Sequence, residues 1–160
     1  MPKSSLVRYL LIILVLLAAD QISKVLADSY LTLYQPVALF PGFNLTLLYN
    51  PGAAFSFLSD AGGWQRWFFT AIAVVMIVVL SIWLHRSRQP LESLALAMIL
   101  SGAIGNLIDR VLYGHVIDFL DIYYQQHHWP AFNIADSAIV VGVVLLLLTS
   151  WRQPKNSDDG

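Results

Sequence analysis

Apolar positions along this chain gather in four long blocks separated by more polar stretches. Residues 6–26 hold the unbroken run LLIILVLLAA, and 67–84 hold AIAVVMIVVL. Residues 94–112 are rich in Ala, Leu and Gly, and 134–151 carry VVLLLL. Each block has about the 17–25 residues needed to cross a ~30 Å hydrocarbon core, so four transmembrane helices are predicted. The pattern changes between blocks one and two. PVALFPGFNLTLLYN reads as two short strands around Pro41-Gly42, followed by a turn at Asn50-Pro51-Gly52 and the apolar AAFSF. Residues 113–133 mix aromatic and polar positions, among them Tyr113, Tyr123, Tyr124 and Trp129, and are expected to lie in the interface as a partial helix. The expected fold is an all-α membrane protein: four transmembrane helices, a small extracytoplasmic β-element and an interfacial outer loop, in one domain over residues 1–160.

Composition agrees with that pattern. The chain is 58% hydrophobic and 12% charged, with mean hydropathy +0.66, where soluble domains carry about 25% charged residues. No basic run is present, so no nucleic-acid partner is expected. With no cysteine, thiol nucleophiles, disulfides, thiolate metal sites and lipidation of the chain's own cysteine are excluded. Lys3 and Arg8 before the first block look like a secretory signal. Asp20, Gln21 and Lys24 then follow Ala18-Ala19 in the same helical run, which favours an uncleaved anchor.

Charge also orients the helices. Lys3, Arg8, Arg86, Arg88, Arg152 and Lys155 flank the blocks on one side, while 28–65 and 111–133 contain no Lys or Arg. The positive-inside rule puts both termini and the 85–93 loop in the cytoplasm and both long loops outside. Trp64, Trp67 and Trp129 then fall at the outer interface, and Trp83 and Trp151 at the inner one.

On that topology the polar residues share one depth. Asp20 and Lys24 lie in the outer half of span one, and Asn106, Asp109 and Arg110 near the outer end of span three. Asp136 begins span four and Asp118 follows span three. An ionisable group at membrane depth costs roughly 2.5–3.5 kcal/mol on insertion scales, so the convergence suggests a polar site in an apolar scaffold. Asp20 and Lys24, at i,i+4, have ion-pair spacing, which serves structure as readily as function. Asp109 and Arg110 point about 100° apart and meet different partners. Arg110 can take a lipid headgroup or a loop carbonyl.

Asp118 and Asp136 have no cation within helical reach. By spacing alone they either cap helices and meet water, or form a carboxylate dyad that shares one proton. The amides Asn50, Asn106 and Asn133 can hold substrate backbone, orient the carboxylates or close turns. His115, His127 and His128 lack an HExxH pairing and are expected to be interfacial, with no metal and no cofactor. Ser101 and Ser137 have no base at a recognisable spacing. Gly102, Ala103 and Gly105 form a small-residue stripe suited to helix packing.

Five segments in order resemble the motifs of the lipoprotein signal peptidase family (signal peptidase II). They are Asp20-x-x-x-Lys24, Asn50-Pro-Gly-Ala-Ala-Phe55, Gly102-Ala-Ile-Gly-Asn-Leu-Ile-Asp-Arg110, His115-Val-Ile-Asp-Phe119 and Phe132-Asn-Ile-Ala-Asp136. The stretch AGGWQRWFF also looks like proteobacterial members. The resemblance implies an aspartic endopeptidase of the bacterial inner membrane with its site on the periplasmic side. Such an enzyme cuts the signal peptide from a diacylglyceryl-modified prolipoprotein just before the lipidated cysteine. It implies Asp118 and Asp136 as the catalytic pair. Asp20, Lys24, Asn50, Gly52, Asn106, Asp109, Arg110, Asn133 and Ala135 correspond to positions that shape or support the site. The implied partners are the prolipoprotein and membrane lipids, with the chain acting as a monomer. Ser101 departs from the pattern, standing where many members have glycine. On this reading the β-element cradles the substrate and the 113–133 segment closes over it. The rival classes are a small four-span proton-coupled transporter, which needs carboxylates near mid-bilayer, and a non-catalytic lipid-binding subunit, which would tolerate loss of both aspartates.

Overall fold

A computed structural model describes residues 3–52 and 64–151. The AAFSF stretch, Arg152 and Lys155 lie outside the described residues. Four helices are present: α1 (Lys3–Tyr30), α2 (Trp64–Arg86), α3 (Pro90–Leu112) and α4 (Ile134–Trp151). All four are long and apolar enough to cross a membrane. Helix α3 is the centre of the bundle and packs against the other three. Of its most apolar window 56% is buried, against 22%, 11% and 22% for α1, α2 and α4.

Small residues let α3 take that place. A side chain at Gly102 would collide with the Ala135 carbonyl and Ile139 of α4, and one at Gly142 with Ile99 and the Ala95 carbonyl of α3. Between helices in lipid, close backbone approach replaces the hydrophobic drive available in water. Ser101, on the same stripe, is buried and donates from Oγ to the Ile13 carbonyl of α1 at 3.2 Å. One end of the bundle is closed by Tyr9, Ile13, Leu80, Leu84, Leu96 and Leu100. The outward faces carry Leu14, Val15 and Ile22 on α1, Val75 on α2, and Val140 and Leu147 on α4, all exposed. These are faces for lipid.

At the other end lies an open sheet of β1 (Pro36–Phe40), β2 (Phe43–Asn50), β3 (Val116–Tyr124) and β4 (His127–His128), antiparallel in that order. The two strands expected around Pro41-Gly42 are β1 and β2, and Gly42 turns between them at φ +92°. The 113–133 segment is corrected: it is a strand pair, not a partial interfacial helix. Its VIDFLDIYY run is β-branched and aromatic, and it finds a partner in the free edge of β2. As an inner strand of a sheet it forms a wall of the groove described below, so it is not free to close as a lid. The β2–β3 register runs Leu45↔Leu120 and then Leu48↔Asp118, so β2 carries one extra residue there.

Candidate active site

The polar residues predicted to share one depth are joined in a single hydrogen-bonded network. At its base, Lys24 is almost wholly buried, at 1% exposure. Its ammonium has three N–H groups and three partners: Asp20 at 2.9 Å, Asp109 at 2.8 Å and Asn106 Oδ1 at 2.9 Å. The i,i+4 pair on α1 therefore exists, and it is also tied to α3. Gly105 makes it possible, because a Cβ there would occupy the position of the Asp20 carboxylate.

Asp20 and Asp109 are saturated by further donors. Asp20 Oδ1 accepts the Ala135 backbone N–H at 2.9 Å, one of the orphan donors at the start of α4. Asp109 Oδ2 accepts the Ile117 N–H at 3.2 Å, anchoring the beginning of β3. Gln21 bridges the two carboxylates, at 3.1 Å to Asp20 and 3.0 Å to Asp109. Sequence reasoning used Gln21 only against a cleaved signal and missed it as a site residue; its signal was a polar amide next to Asp20.

Above this base stand the two carboxylates that lack a bonded cation among the described residues. Both are held by amides. Asp118, 2% exposed on β3, accepts from Asn133 Nδ2 at 2.7 Å and Asn50 Nδ2 at 3.0 Å. Asp136 accepts from Asn106 Nδ2 at 2.7 Å. Burial and the nearby Asp136 carboxylate push the Asp118 carboxyl up to about 7.

The orientation of each amide is fixed from its other end. Asn106 gives its oxygen to Lys24, so its NH₂ faces Asp136. Asn50 gives its oxygen to the Gly52 N–H at 2.9 Å, closing the expected turn, so its NH₂ faces Asp118. Gly52 is required there: it sits at φ +105°, and a side chain would overlap the Phe69 ring. Asn133 caps α4. Its Oδ1 accepts the Asp136 N–H at 2.8 Å, while Asp136 Oδ2 accepts the Asn133 N–H at 3.3 Å. This reciprocal cap leaves the Asn133 NH₂ for Asp118. One residue thus positions both carboxylates.

Arg110 points away from Asp109, as adjacent helical residues must. It bonds the Asn106 carbonyl of its own helix at 3.3 Å and lies over the Phe69 ring at 5.7 Å. Among the described residues the carbonyl it meets is on α3 rather than on a loop.

A groove of 820 Å³ opens beside Asp118 and is lined by Asn50, Leu48, Thr46, Asp121, His128 and Trp129, among others. Among the described residues no group of His, Asp and Glu is placed to hold a metal ion. His128 is instead paired with Asp121, and the His115 ring packs on Tyr49 at 4.2 Å.

Residues 12–152 match the family profile described as signal peptidase (SPase) II. The chain belongs to the signal peptidase II family. It is 52% identical over 145 residues to the lipoprotein signal peptidase of Acinetobacter baumannii (strain ATCC 17978), covering 87% of this chain and 82% of that one. To the lipoprotein signal peptidase of Alteromonas mediterranea it is 51% identical over 157 residues, covering 96% and 86%. Two solved bacterial membrane enzyme structures share the fold. One has a TM-score of 0.82 at 29% identity, covering 96% of this chain and 93% of the other. The second has a TM-score of 0.81 at 30% identity, covering 91% and 94%. Family and helices together make this signal peptidase II chain a bacterial multi-pass membrane protein and a peptidase. The transporter and non-catalytic readings have no support in that assignment.

Proposed function

We propose that this chain removes the signal peptide from diacylglyceryl-modified prolipoproteins, cutting just before the lipidated cysteine, with Asp118 and Asp136 as the catalytic pair. The observation that carries the reading is the way these two carboxylates are held. Shared amides grip them, Asp118 on the wall of a groove, while the only buried lysine among the described residues is spent on Asp20 and Asp109. Close carboxylates with no bonded cation share one proton. The ionised member takes a proton from water as the water oxygen attacks the scissile carbonyl carbon. The protonated member gives its proton to the carbonyl oxygen. When the tetrahedral intermediate collapses, the C–N bond breaks and the leaving cysteine amine takes a proton from the dyad.

Lys24, Asp20, Asp109, Asn106, Asn133, Asn50, Gly52, Ala135 and Arg110 support the pair without touching the reacting atoms. The Lys/Arg distribution supports an orientation with both termini in the cytoplasm and with the sheet, groove and dyad on the periplasmic face of the inner membrane. The substrate's acyl chains then hold its scissile bond at the level of the dyad. Prolipoprotein and membrane lipids are the partners, with no nucleic acid and no cofactor. One copy supplies every group named, so the chain works as a monomer.

The test is cleavage of a lipidated prolipoprotein in liposomes by Asp118→Asn and Asp136→Asn. Each is expected to insert and fold yet release no signal peptide. Substantial turnover by either would overturn the dyad.

A further inference from the structure

The groove has a second polar end that the chemistry above leaves unused. It runs from Asp118 and Asn50 past Leu48 to Thr46, Asp121, His128 and Trp129. Residues three apart point to opposite faces of a regular strand. A bulge in β3, where the N–H groups of Phe119 and Leu120 both bond the Phe132 carbonyl at 3.1 and 2.8 Å, brings Asp118 and Asp121 onto the same groove, about 10 Å of extended chain apart.

Asp121 is buried and fully engaged. It accepts from Thr46 Oγ1 at 2.9 Å and Asn44 Nδ2 at 3.2 Å, and its Oδ1 lies 2.8 Å from His128 Nδ1. Burial raises its affinity for a proton, but bonds from His128, Thr46 and Asn44 outweigh that and hold it below the usual carboxylate range. An ionised carboxylate can only accept, so His128 presents Nδ1–H to it. That leaves Nε2 as the free nitrogen. The ring is half exposed and stacked on Tyr123 at 5.2 Å. No bond to Nε2 is made among the described residues. The backbone N–H of Trp129 bonds the Ile122 carbonyl at 2.8 Å, so the strand carrying His128 is fixed against β3.

We propose that His128 Nε2, oriented by Asp121, binds the polypeptide segment that follows the lipid-bearing cysteine, making this end of the groove a subsite for the mature chain. The inference rests on the prolipoprotein reading. It also assigns a direction. The signal helix stays in lipid beside the bundle, so substrate that leaves Asp118 along the sheet, away from α3 and α4, is on the mature side. An extended peptide advances about 3.3 Å per residue, so roughly the third residue past the scissile bond reaches His128. Nε2 makes a hydrogen bond there with a polar group of the peptide backbone or of a side chain, while Trp129 and Pro130 offer an apolar wall.

The experiment compares two diacylglyceryl-cysteine substrates with full-length protein in liposomes. One ends in an amide directly after the cysteine and the other continues for about six mature residues. Wild type is expected to favour the longer substrate in kcat/KM by about 3–10-fold, the yield of one hydrogen bond. His128→Ala and Asp121→Asn are expected to bring that ratio close to one. His128→Asn is the discriminating variant: its amide keeps a donor for Asp121 but has no counterpart of Nε2, so it should lose the preference too. A wild-type preference in His128→Asn would mean that the histidine only fastens β4, and would overturn the proposal. An undiminished preference in His128→Ala would do the same. Failure of wild type to cut either substrate would overturn the parent reading, and this one with it. Cleavage of both at equal rates would overturn the subsite alone.

Discussion

Asp20 and Asp109 form one carboxylate pair and Asp118 and Asp136 another, joined through Asn106, yet they are stabilised by different means. Asp20 and Asp109 share the Lys24 ammonium at 2.9 and 2.8 Å. Asp118 and Asp136 receive only neutral amide donors, at 2.7 Å each from Asn133 and Asn106. A cation fixes a carboxylate as an anion. A neutral amide orients it and leaves its proton free to come and go. On the proposed function the first pair is therefore architecture and the second is chemistry, although both are buried and both were equally conspicuous as acids in an apolar sequence.

The sharpest way to break the comparison is to neutralise each pair in turn. Asp118→Asn or Asp136→Asn should lower the cleavage rate by at least about 10²–10⁴-fold, the range lost with a general acid or base. Thermal unfolding in detergent should hardly change, because a buried charge has been removed without removing an ion-pair partner. The converse holds for Lys24→Met, which strands two buried carboxylates. Loss of one partner from a buried ion pair costs about 3–5 kcal/mol, so this variant should melt far earlier than wild type. Adding Asp20→Asn and Asp109→Asn to it should recover much of that stability. If Lys24→Met melted like wild type while Asp118→Asn unfolded, the two pairs would have exchanged roles.

The next prediction concerns protons. Asp118 is raised to about 7 by burial and by the Asp136 carboxylate, and the bond from Asn50 opposes that rise. A raised acid keeps its proton at higher pH. The one-proton form of the dyad is therefore present below about 7 and is lost as pH rises through it, so kcat/KM should fall by about tenfold per unit on the alkaline side. Removing the opposing bond in Asn50→Ala should move that limb to higher pH. A limb that stayed fixed or moved down would contradict the assignment of the bond.

Much of this arrangement was legible in the chain because it follows from local periodicity. Hydropathy located the four helices, and i,i+4 spacing located the Asp20–Lys24 pair. What local patterns cannot hold are partners distant in sequence. Lys24 meets Asn106 across 82 residues, and Asn50 meets Asp118 across 68. For the same reason the 113–133 segment was misjudged. Its apolar and aromatic run suits either an interfacial helix or a strand, and the choice is made by β2. The pairing of Asp121 with His128 was hidden because it needs the turn that folds β4 back on β3, which no spacing rule anticipates. Asn50, Asn106 and Asn133 were noted but undivided between three roles, since only the partner of each amide oxygen decides where its nitrogens face.

The smallest predicted effect separates stability from chemistry at the stripe of α3 that both pairs depend on. Ser101 stands in place of the glycine that the family resemblance implies, and its hydroxyl bonds the Ile13 carbonyl of α1 at 3.2 Å. Interhelical hydrogen bonds in membranes average about 0.6 kcal/mol, so Ser101→Gly should lower thermal stability by no more than about 1 kcal/mol. Cleavage should be unaffected, because Ser101 lies more than a helical turn from Asn106 and contacts neither pair. Ser101→Leu tests the same position by volume. The site is buried between α1 and α3, so the larger side chain must push α1 outward and carry Asp20 and Lys24 with it. That variant should lose both stability and cleavage. If it retained both, the base of the site would tolerate displacement, and the claim that Lys24 sets the orientation of Asn106, and through it Asp136, would fail.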